Sequence, residues 1–185
     1  MLSVLLIGIS LSMDAFAVTV ANAVTLRPLR RSDALWSAVY FGGFQFLMPL
    51  LGALLAGTVA GHLVKLGPFI SFIMLGYIGV RMILDAVKPE EEGVAAAALN
   101  HRRLLALAGA TSIDALAVGV SFAFSPPSPG LWLSCAMIGC TTFVLTLLAV
   151  YLGGRFQDLH PRKAGIAGGA VLLFIGVKLL LEGIL

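Results

Sequence analysis

Charged residues are scarce in this sequence. Only 11% of its 185 residues are Asp, Glu, Lys or Arg, whereas 59% are hydrophobic and the mean hydropathy is +1.03. Because soluble domains carry about 25% charged residues, this composition excludes a soluble fold. The formal net charge of +3 does not indicate a nucleic-acid partner, since the position of each charge matters more than the sum in so apolar a chain. The composition predicts a protein that crosses the lipid bilayer several times.

Cysteine is equally rare. Cys135 and Cys140 are the only two, and both lie in one apolar segment, about 140° apart around a helix. We expect both to be reduced, structural residues. A thiol-disulfide electron carrier built from two repeats would need one cysteine in each half, so that function is excluded.

Six apolar segments are separated by charged residues and by clusters of proline and glycine. Each is about 20 residues long, the length that a helix needs to cross about 30 Å of hydrocarbon. The segments are residues 2–24, 35–57, 67–87, 104–124, 131–153 and 165–185. An all-α membrane protein with six transmembrane helices is therefore predicted.

Basic residues are distributed unevenly between these segments. Nine lie in the first, third and fifth loops, against Lys65 alone in the second loop. The nine are Arg27, Arg30, Arg31, Lys88, Arg102, Arg103, Arg155, Arg162 and Lys163. The positive-inside rule then places these loops in the cytoplasm and both chain termini outside.

Residues 88–103 divide the chain into two halves. They are charged at both ends and rich in alanine between, which is typical of a surface linker. The three glutamates at 90–92 are read as a solvated charge run rather than as a metal site. We expect this cytoplasmic linker to join a three-helix unit at 1–87 to a second one at 104–185, within one integrated membrane domain.

The two halves resemble each other in sequence. "LSMDAFAVTV" at 11 aligns with "TSIDALAVGV" at 111, "LWSAVYFGG" at 35 with "LWLSCAMIG" at 131, and "YIGVRMILD" at 77 with "FIGVKLLLE" at 174. The matches are collinear, with offsets of 100, 96 and 97 residues, and so indicate a duplication of three helices. Because three is odd, the second copy crosses the membrane in the opposite sense. This predicts an inverted repeat with a pseudo-two-fold axis in the membrane plane.

Each repeat carries one aspartate near the middle of its first helix, Asp14 and Asp114. An ionised carboxylate at mid-membrane costs roughly 2.5–3.5 kcal/mol on insertion scales, so two of them indicate a function. Small or polar residues share their helix faces, which lets the two helices approach closely and bring the carboxylates together. The polar members of these faces are Ser10, Asn22, Thr111 and Ser121.

Further oxygen atoms are expected at the same depth. Gln45 is central in the second segment, four residues before Pro49, and a proline there leaves the carbonyl of residue 45 without its helical donor. Its repeat counterpart, Thr141, lies in the fifth segment beside Thr142. Such an oxygen set suits Mg²⁺, Ca²⁺ or Mn²⁺ rather than zinc or copper. Whether Gln45 is a metal ligand or a plain interhelical hydrogen-bonding residue is left open.

Static ion pairing is an alternative role for the two aspartates, because the third and sixth segments each contain a basic residue. An acidic residue follows each basic residue after one helical turn, so we expect these pairs to be self-sufficient and nearer the helix ends. The expected structural ion pairs are Arg81 with Asp85 and Lys178 with Glu182.

Long motifs in this chain resemble the manganese efflux pumps of the MntP type, within the lysine-exporter superfamily. They are "SMDAFAV" at 12–18, "FGGFQFLMPLLG" at 41–52, "LGYIGVRMI" at 75–83, "ATSIDALAVGVSFAF" at 110–124 and "IGVKLLL" at 175–181. The resemblance implies a bacterial or archaeal inner-membrane protein that exports Mn²⁺ as substrate, with no cofactor and with functional aspartates at Asp14 and Asp114. This chain departs from the family at Gln45, where members carry Glu.

Two central aspartates are also compatible with functions other than export. An intramembrane aspartyl protease could use two aspartates, but "TSID" lacks the Gly-x-Gly-Asp motif of such enzymes, so no enzyme is predicted. A non-transporting scaffold, or a sporulation-associated relative within the same family, stays open. The export hypothesis has the ion held between Asp14 and Asp114 while the repeats rock, with protons returning on the same carboxylates in an antiporter. The oligomeric state is left open.

Overall fold

The computed structural model describes residues 1–24, 30–56, 60–87, 100–155 and 161–184, without the side chains of 60–65, 85, 161, 164 and 182–184. This part of the chain is all-helical and contains seven helices. They are α1 (Leu2–Ala23), α2 (Arg31–Leu55), α3 (Ala60–Val87), α4 (His101–Thr111), α5 (Ile113–Phe124), α6 (Leu131–Arg155) and α7 (Pro161–Ile184). Residues 88–99 of the predicted linker lie outside the described residues.

Four of these helices are long and apolar enough to cross a membrane, among the residues described. They are α1, α2, the part of α3 from Leu66 to Leu84, and α6. The pair α4 and α5 passes the same test together, and α7 contains a shorter apolar stretch, Gly165–Leu181. The chain is therefore an integral membrane protein. The two cysteines of α6 are free, with Cys135 buried and Cys140 exposed.

The fourth predicted segment is not one continuous helix. It is broken at Ser112, and α4 and α5 meet there at a bend of 42°. The Thr111 hydroxyl bonds back to the carbonyls of Leu107 and Ala108, a contact that bends helices. Ser71 of α3 donates to the carbonyl of Ala110 at 2.7 Å and so provides that oxygen with a partner beside the break. The expectation of an unbroken helix over 104–124 is thus corrected.

Glycines allow the helices to pack closely. A Cβ on Gly42 of α2 would lie 3.0 Å from the carbonyl oxygen of Gly139 of α6, and the reverse distance is also 3.0 Å. Similarly, Gly79 of α3 and Gly169 of α7 each face the other's carbonyl oxygen. Small residues bring backbones together in this way where no hydrophobic force operates between helices in lipid.

The helices form a consistent neighbour pattern. α1 packs on α6 and α7, whereas α4 and α5 pack on α2 and α3. The remaining large interfaces are α2 with α6 and α3 with α7. In the last of these, Gly79 lies against Leu172 and Gly176 lies against Leu75, and both leucines are fully buried.

The contact between α2 and α5 gives a first prediction. A Cβ on Gly119 would collide with the backbone of Pro49, so Gly119→Ala should destabilise the protein by about 1–3 kcal/mol, as overpacking does. Gly43→Ala is the matched control, because nothing lies within 4 Å of a Cβ there. Thermal unfolding of both variants in detergent measures the effect. Equal stability of the two variants would contradict the α2–α5 packing described here.

Candidate metal site

Asp14 lies in the unbroken helix α1 and faces α7. Its side chain is only 13% exposed, and its Oδ1 atom lies 3.2 Å from Nζ of Lys178. The sequence predicts an ion pair of Lys178 with Glu182, one turn away, and the side chain of Glu182 lies outside the described residues. The ion pair between α1 and α7 is therefore a finding of the tertiary structure.

Asp114 lies in the first turn of α5, directly after the helix break. It is half-buried, and its Oδ1 atom accepts a hydrogen bond from the backbone N–H of Ala115 at 2.8 Å. A carboxylate in the first turn also lies at the positive end of the helix dipole. Asp114 is within electrostatic range of both Asp14 and Lys178. The two aspartates and the lysine therefore form one charged cluster, although the aspartates are a hundred residues apart in sequence.

Gln45 of α2 is completely buried. Its Nε2 donates to the carbonyl of Leu11, one helical turn before Asp14, at 3.0 Å. Its Oε1 has no hydrogen-bond partner among the described residues. The amide nitrogen thus makes an interhelical hydrogen bond, and the amide oxygen is left available as a ligand.

Two serines that the sequence reasoning missed lie beside the aspartates. Ser12 is fully buried; its hydroxyl bonds to the carbonyl of Gly8 at 2.5 Å and to the hydroxyl of Thr142 at 2.7 Å. Ser112 is also fully buried, at the break, and its Oγ has no partner among the described residues. The signal in the sequence was Ser-x-Asp-Ala, which occurs in both copies of the motif.

The other predicted site residues are in varied environments. Thr141 is half-buried, donates to the carbonyl of Met137 at 2.8 Å, and lies against Gly8 of α1. The Thr142 hydroxyl lies 3.0 Å from the carbonyl of Ile138. Of the other predicted site residues, Asn22, Thr111 and Pro49 are buried, whereas Ser10 and Ser121 are exposed.

Arg81 is the repeat counterpart of Lys178 but has different neighbours. Its guanidinium donates to the hydroxyl of Tyr77 at 3.2 Å, and the residue is exposed. The side chain of Asp85, its expected partner, lies outside the described residues. The two basic residues therefore occupy equivalent places in the sequence and different places in the structure.

The chemistry of this cluster is that of oxygen donors. Within the described part of the chain, no three His, Cys, Asp or Glu side chains gather in one place. The two carboxylates lie within electrostatic range of each other, and the Gln45 amide and the Thr142 hydroxyl contact α1 within one turn of Asp14. Such a set is typical of sites for hard divalent cations, in which a few carboxylates balance the charge.

An integral membrane protein of this kind, with ionisable residues inside its helical bundle, has the features of a transport protein. The model of a family described as "Putative manganese efflux pump" matches residues 28–180. The chain belongs to this family, which confirms the resemblance found in the sequence. The family is one of transporters and not of enzymes, and the manganese in its name is a transported substrate rather than a cofactor.

Relatives similar to this chain come from both archaea and bacteria. A protein of Methanosarcina mazei named "Putative manganese efflux pump MntP" is 44% identical over 96% of this chain and 94% of its own length. Proteins of the same name from Bifidobacterium adolescentis and Clostridium perfringens are each 42% identical over 98% of this chain, and over 96% and 94% of their own lengths. No solved structure matches the chain.

The Ser12–Thr142 contact gives a second prediction. Because the hydrogen bond is buried between α1 and α6, Ser12→Ala and Thr142→Val should each lower the free energy of unfolding by about 1 kcal/mol. The double variant should lose less than the sum, since both changes remove the same bond. Denaturant unfolding in detergent measures the three values. Ser121→Ala is the control, because that exposed hydroxyl bonds within its own helix; strictly additive losses would contradict the coupling.

Proposed function

We propose that this protein exports Mn²⁺ from the cytoplasm and holds the ion between Asp14 and Asp114. The observation that carries the proposal is that these two carboxylates lie within electrostatic range of each other inside the helical bundle, in a chain of the manganese efflux family. Two carboxylates neutralise one divalent cation, so binding offsets the cost of keeping both charges in the membrane. The Thr141 hydroxyl and the Gln45 amide oxygen supply further ligands.

The unpartnered oxygen of Gln45 supports its part in the site. With an offset of 100 residues, Ser112 is the counterpart of Ser12. Ser12 and Thr142 bond to each other, whereas Ser112 Oγ and Gln45 Oε1 are both buried without a described partner. Buried polar atoms are rarely left unsatisfied, so a bound ion or its water is the expected partner.

We further propose that the chain forms six spans in two inverted repeats, with both termini outside. The neighbour pattern supports this arrangement, because exchanging the halves converts the packing of α1 on α6 and α7 into that of α4 and α5 on α2 and α3. Exchanging the halves also converts individual residue contacts into one another. The pair Gly79–Leu172 has Gly176–Leu75 as its counterpart at an offset of 97 residues, and both contacts are present.

One pair of interfaces departs from this symmetry, which favours alternating access. A Cβ on Gly168 of α7 would lie 2.8 Å from the carbonyl oxygen of Ala21 of α1. The counterparts of these two residues are Ser71 and Ser121, yet Ser71 bonds to Ala110, eleven residues before Ser121. At 1.5 Å per helical residue, that is a difference of about 16 Å along the helix. The register of α3 against α4 and α5 therefore differs from the register of α7 against α1.

Burial follows the same asymmetry. Ala21 is 4% exposed, whereas its counterpart Ser121 is exposed. Ala110 is 1% exposed, whereas its counterpart Ser10 is exposed. Each of these two positions is buried in one repeat and exposed in the other. This is expected if the protein alternates between two conformations in which the two repeats exchange roles, here called mirrored conformations. In the mirrored one, α3 covers Ser121 and α7 covers Ser10.

In the proposed cycle, Mn²⁺ sheds part of its hydration shell on entering from the cytoplasm and binds the two carboxylates. Movement of the α3–α7 pair between the two registers then opens the site to the other side. The carboxylates can carry protons back once the ion has left, which would make the protein an antiporter.

The two aspartates give the third prediction. Asp14→Asn or Asp114→Asn should lower Mn²⁺ flux into reconstituted vesicles at least about tenfold, because each removes a charged ligand. Asp33→Asn is the matched control: this buried carboxylate caps α2 by accepting the N–H of Arg30, away from the site. Comparing flux of Mn²⁺, Mg²⁺, Ca²⁺ and Cd²⁺ tests the substrate. Full flux in either aspartate variant would refute the site, and absence of wild-type flux would favour a scaffold.

The two registers give the fourth prediction. A cysteine at Ser71 should form a disulfide with one at Ala110 in the conformation described here and with one at Ser121 in the mirrored conformation. Both disulfides should form in membranes, in a background with Cys135 and Cys140 replaced by alanine, and either should stop flux. A cysteine pair at Ser71 and Ser121 that never cross-links, in protein that transports manganese, would exclude this movement.

A further inference from the structure

Lys178 places a tethered positive charge on one carboxylate of the proposed site. Its ammonium lies 3.2 Å from Asp14, and its side chain is 43% exposed, so the charged end can move away without crossing a packed core. The contact joins residues 164 positions apart, on α7 and α1. The contact therefore depends on how the α3–α7 pair packs against α1 and not on local sequence.

The charges of the site change when an ion binds. When both carboxylates are ionised and no ion is bound, Asp14 and Asp114 contribute two negative charges, the ammonium on Asp14 one positive charge and Gln45 none. Among these four groups, a divalent ion would leave one excess positive charge if the ammonium stayed and none if it withdrew. Because excess charge is costly where water is scarce, the neutral arrangement is favoured. The incoming ion and the ammonium thus compete for the same carboxylate.

We infer that Lys178 is an internal counter-cation, which occupies Asp14 when the site is empty and which the transported ion must displace. The inference rests on the proposed function and adds a determinant of ion specificity to it. A tethered group acts at an effective concentration of the order of millimolar or higher. A monovalent ion has no charge advantage over such an ammonium, whereas a divalent ion can engage both carboxylates. Lys178 therefore selects against monovalent cations.

Arg81 extends this role to the other half of the cycle. In the conformation described here it donates to Tyr77 rather than to an aspartate. It is the repeat counterpart of Lys178, as Asp114 is of Asp14. In the mirrored register of the α3–α7 pair, Arg81 takes the place at Asp114 that Lys178 takes here at Asp14. One aspartate at a time is then neutralised by a basic residue.

The test is Mn²⁺ binding to the full chain in lipid nanodiscs, measured from the electron paramagnetic resonance signal of free Mn²⁺. Lys178→Gln should bind Mn²⁺ about tenfold more tightly than the wild type, since a competing charged hydrogen bond is removed. Na⁺ should weaken Mn²⁺ binding in K178Q more than in the wild type. Lys178→Arg keeps the charge and should bind no more tightly than the wild type.

Arg155→Gln is the matched control, because Arg155 donates to Tyr151 one turn earlier, as Arg81 does to Tyr77, and lies at the end of α6. Its affinity should equal that of the wild type. Unchanged or weaker Mn²⁺ binding by K178Q would overturn the inference and leave the proposed function standing. Tighter Mn²⁺ binding by K178R would have the same consequence, and this variant tests the inference even if K178Q does not fold. Absence of Mn²⁺ binding by the wild type would instead overturn both.

Discussion

The burial of two carboxylates in a helical bundle within the membrane is the constraint on which the rest of this structure depends. Each ionised aspartate would cost several kcal/mol if it faced hydrocarbon alone. The fold meets that cost in two ways: Asp14 receives the ammonium of Lys178, and Asp114 receives a backbone N–H in the first turn of α5. Both arrangements leave carboxylate oxygens available, which is what a site that binds and releases a cation requires.

The scaffold around these residues is built by close helix contact. Glycines bring α2 against α5 and α6, and α3 against α7, close enough that an added methyl group would collide at several positions. Such packing holds helices in defined registers where hydrophobic association is absent. It also confines the irregular backbone at Ser112 to the protein interior, which is where a membrane protein can accommodate a broken helix.

Nearly equivalent sequences occupy different environments in the two halves. Ser12 lies within a continuous helix and bonds to Thr142, whereas Ser112 lies at a break and has no described partner. Lys178 contacts Asp14, whereas Arg81 contacts Tyr77. Local sequence cannot produce such differences, because the local preferences are almost the same. They come from the packing of α1 against α6 and α7, which joins Ser12 to Thr142 and Asp14 to Lys178.

Composition and periodicity alone determined the membrane location and the helical class and singled out the two central aspartates, because each follows from apolar length or from the cost of an isolated charge. Motifs spanning the chain also identified the family correctly. The tertiary structure decided the break at Ser112, the ion pair of Lys178 and the hydrogen bond from Gln45 to Leu11. These depend on contacts between residues far apart in the chain, and helical spacing carries no information about which distant helix lies opposite.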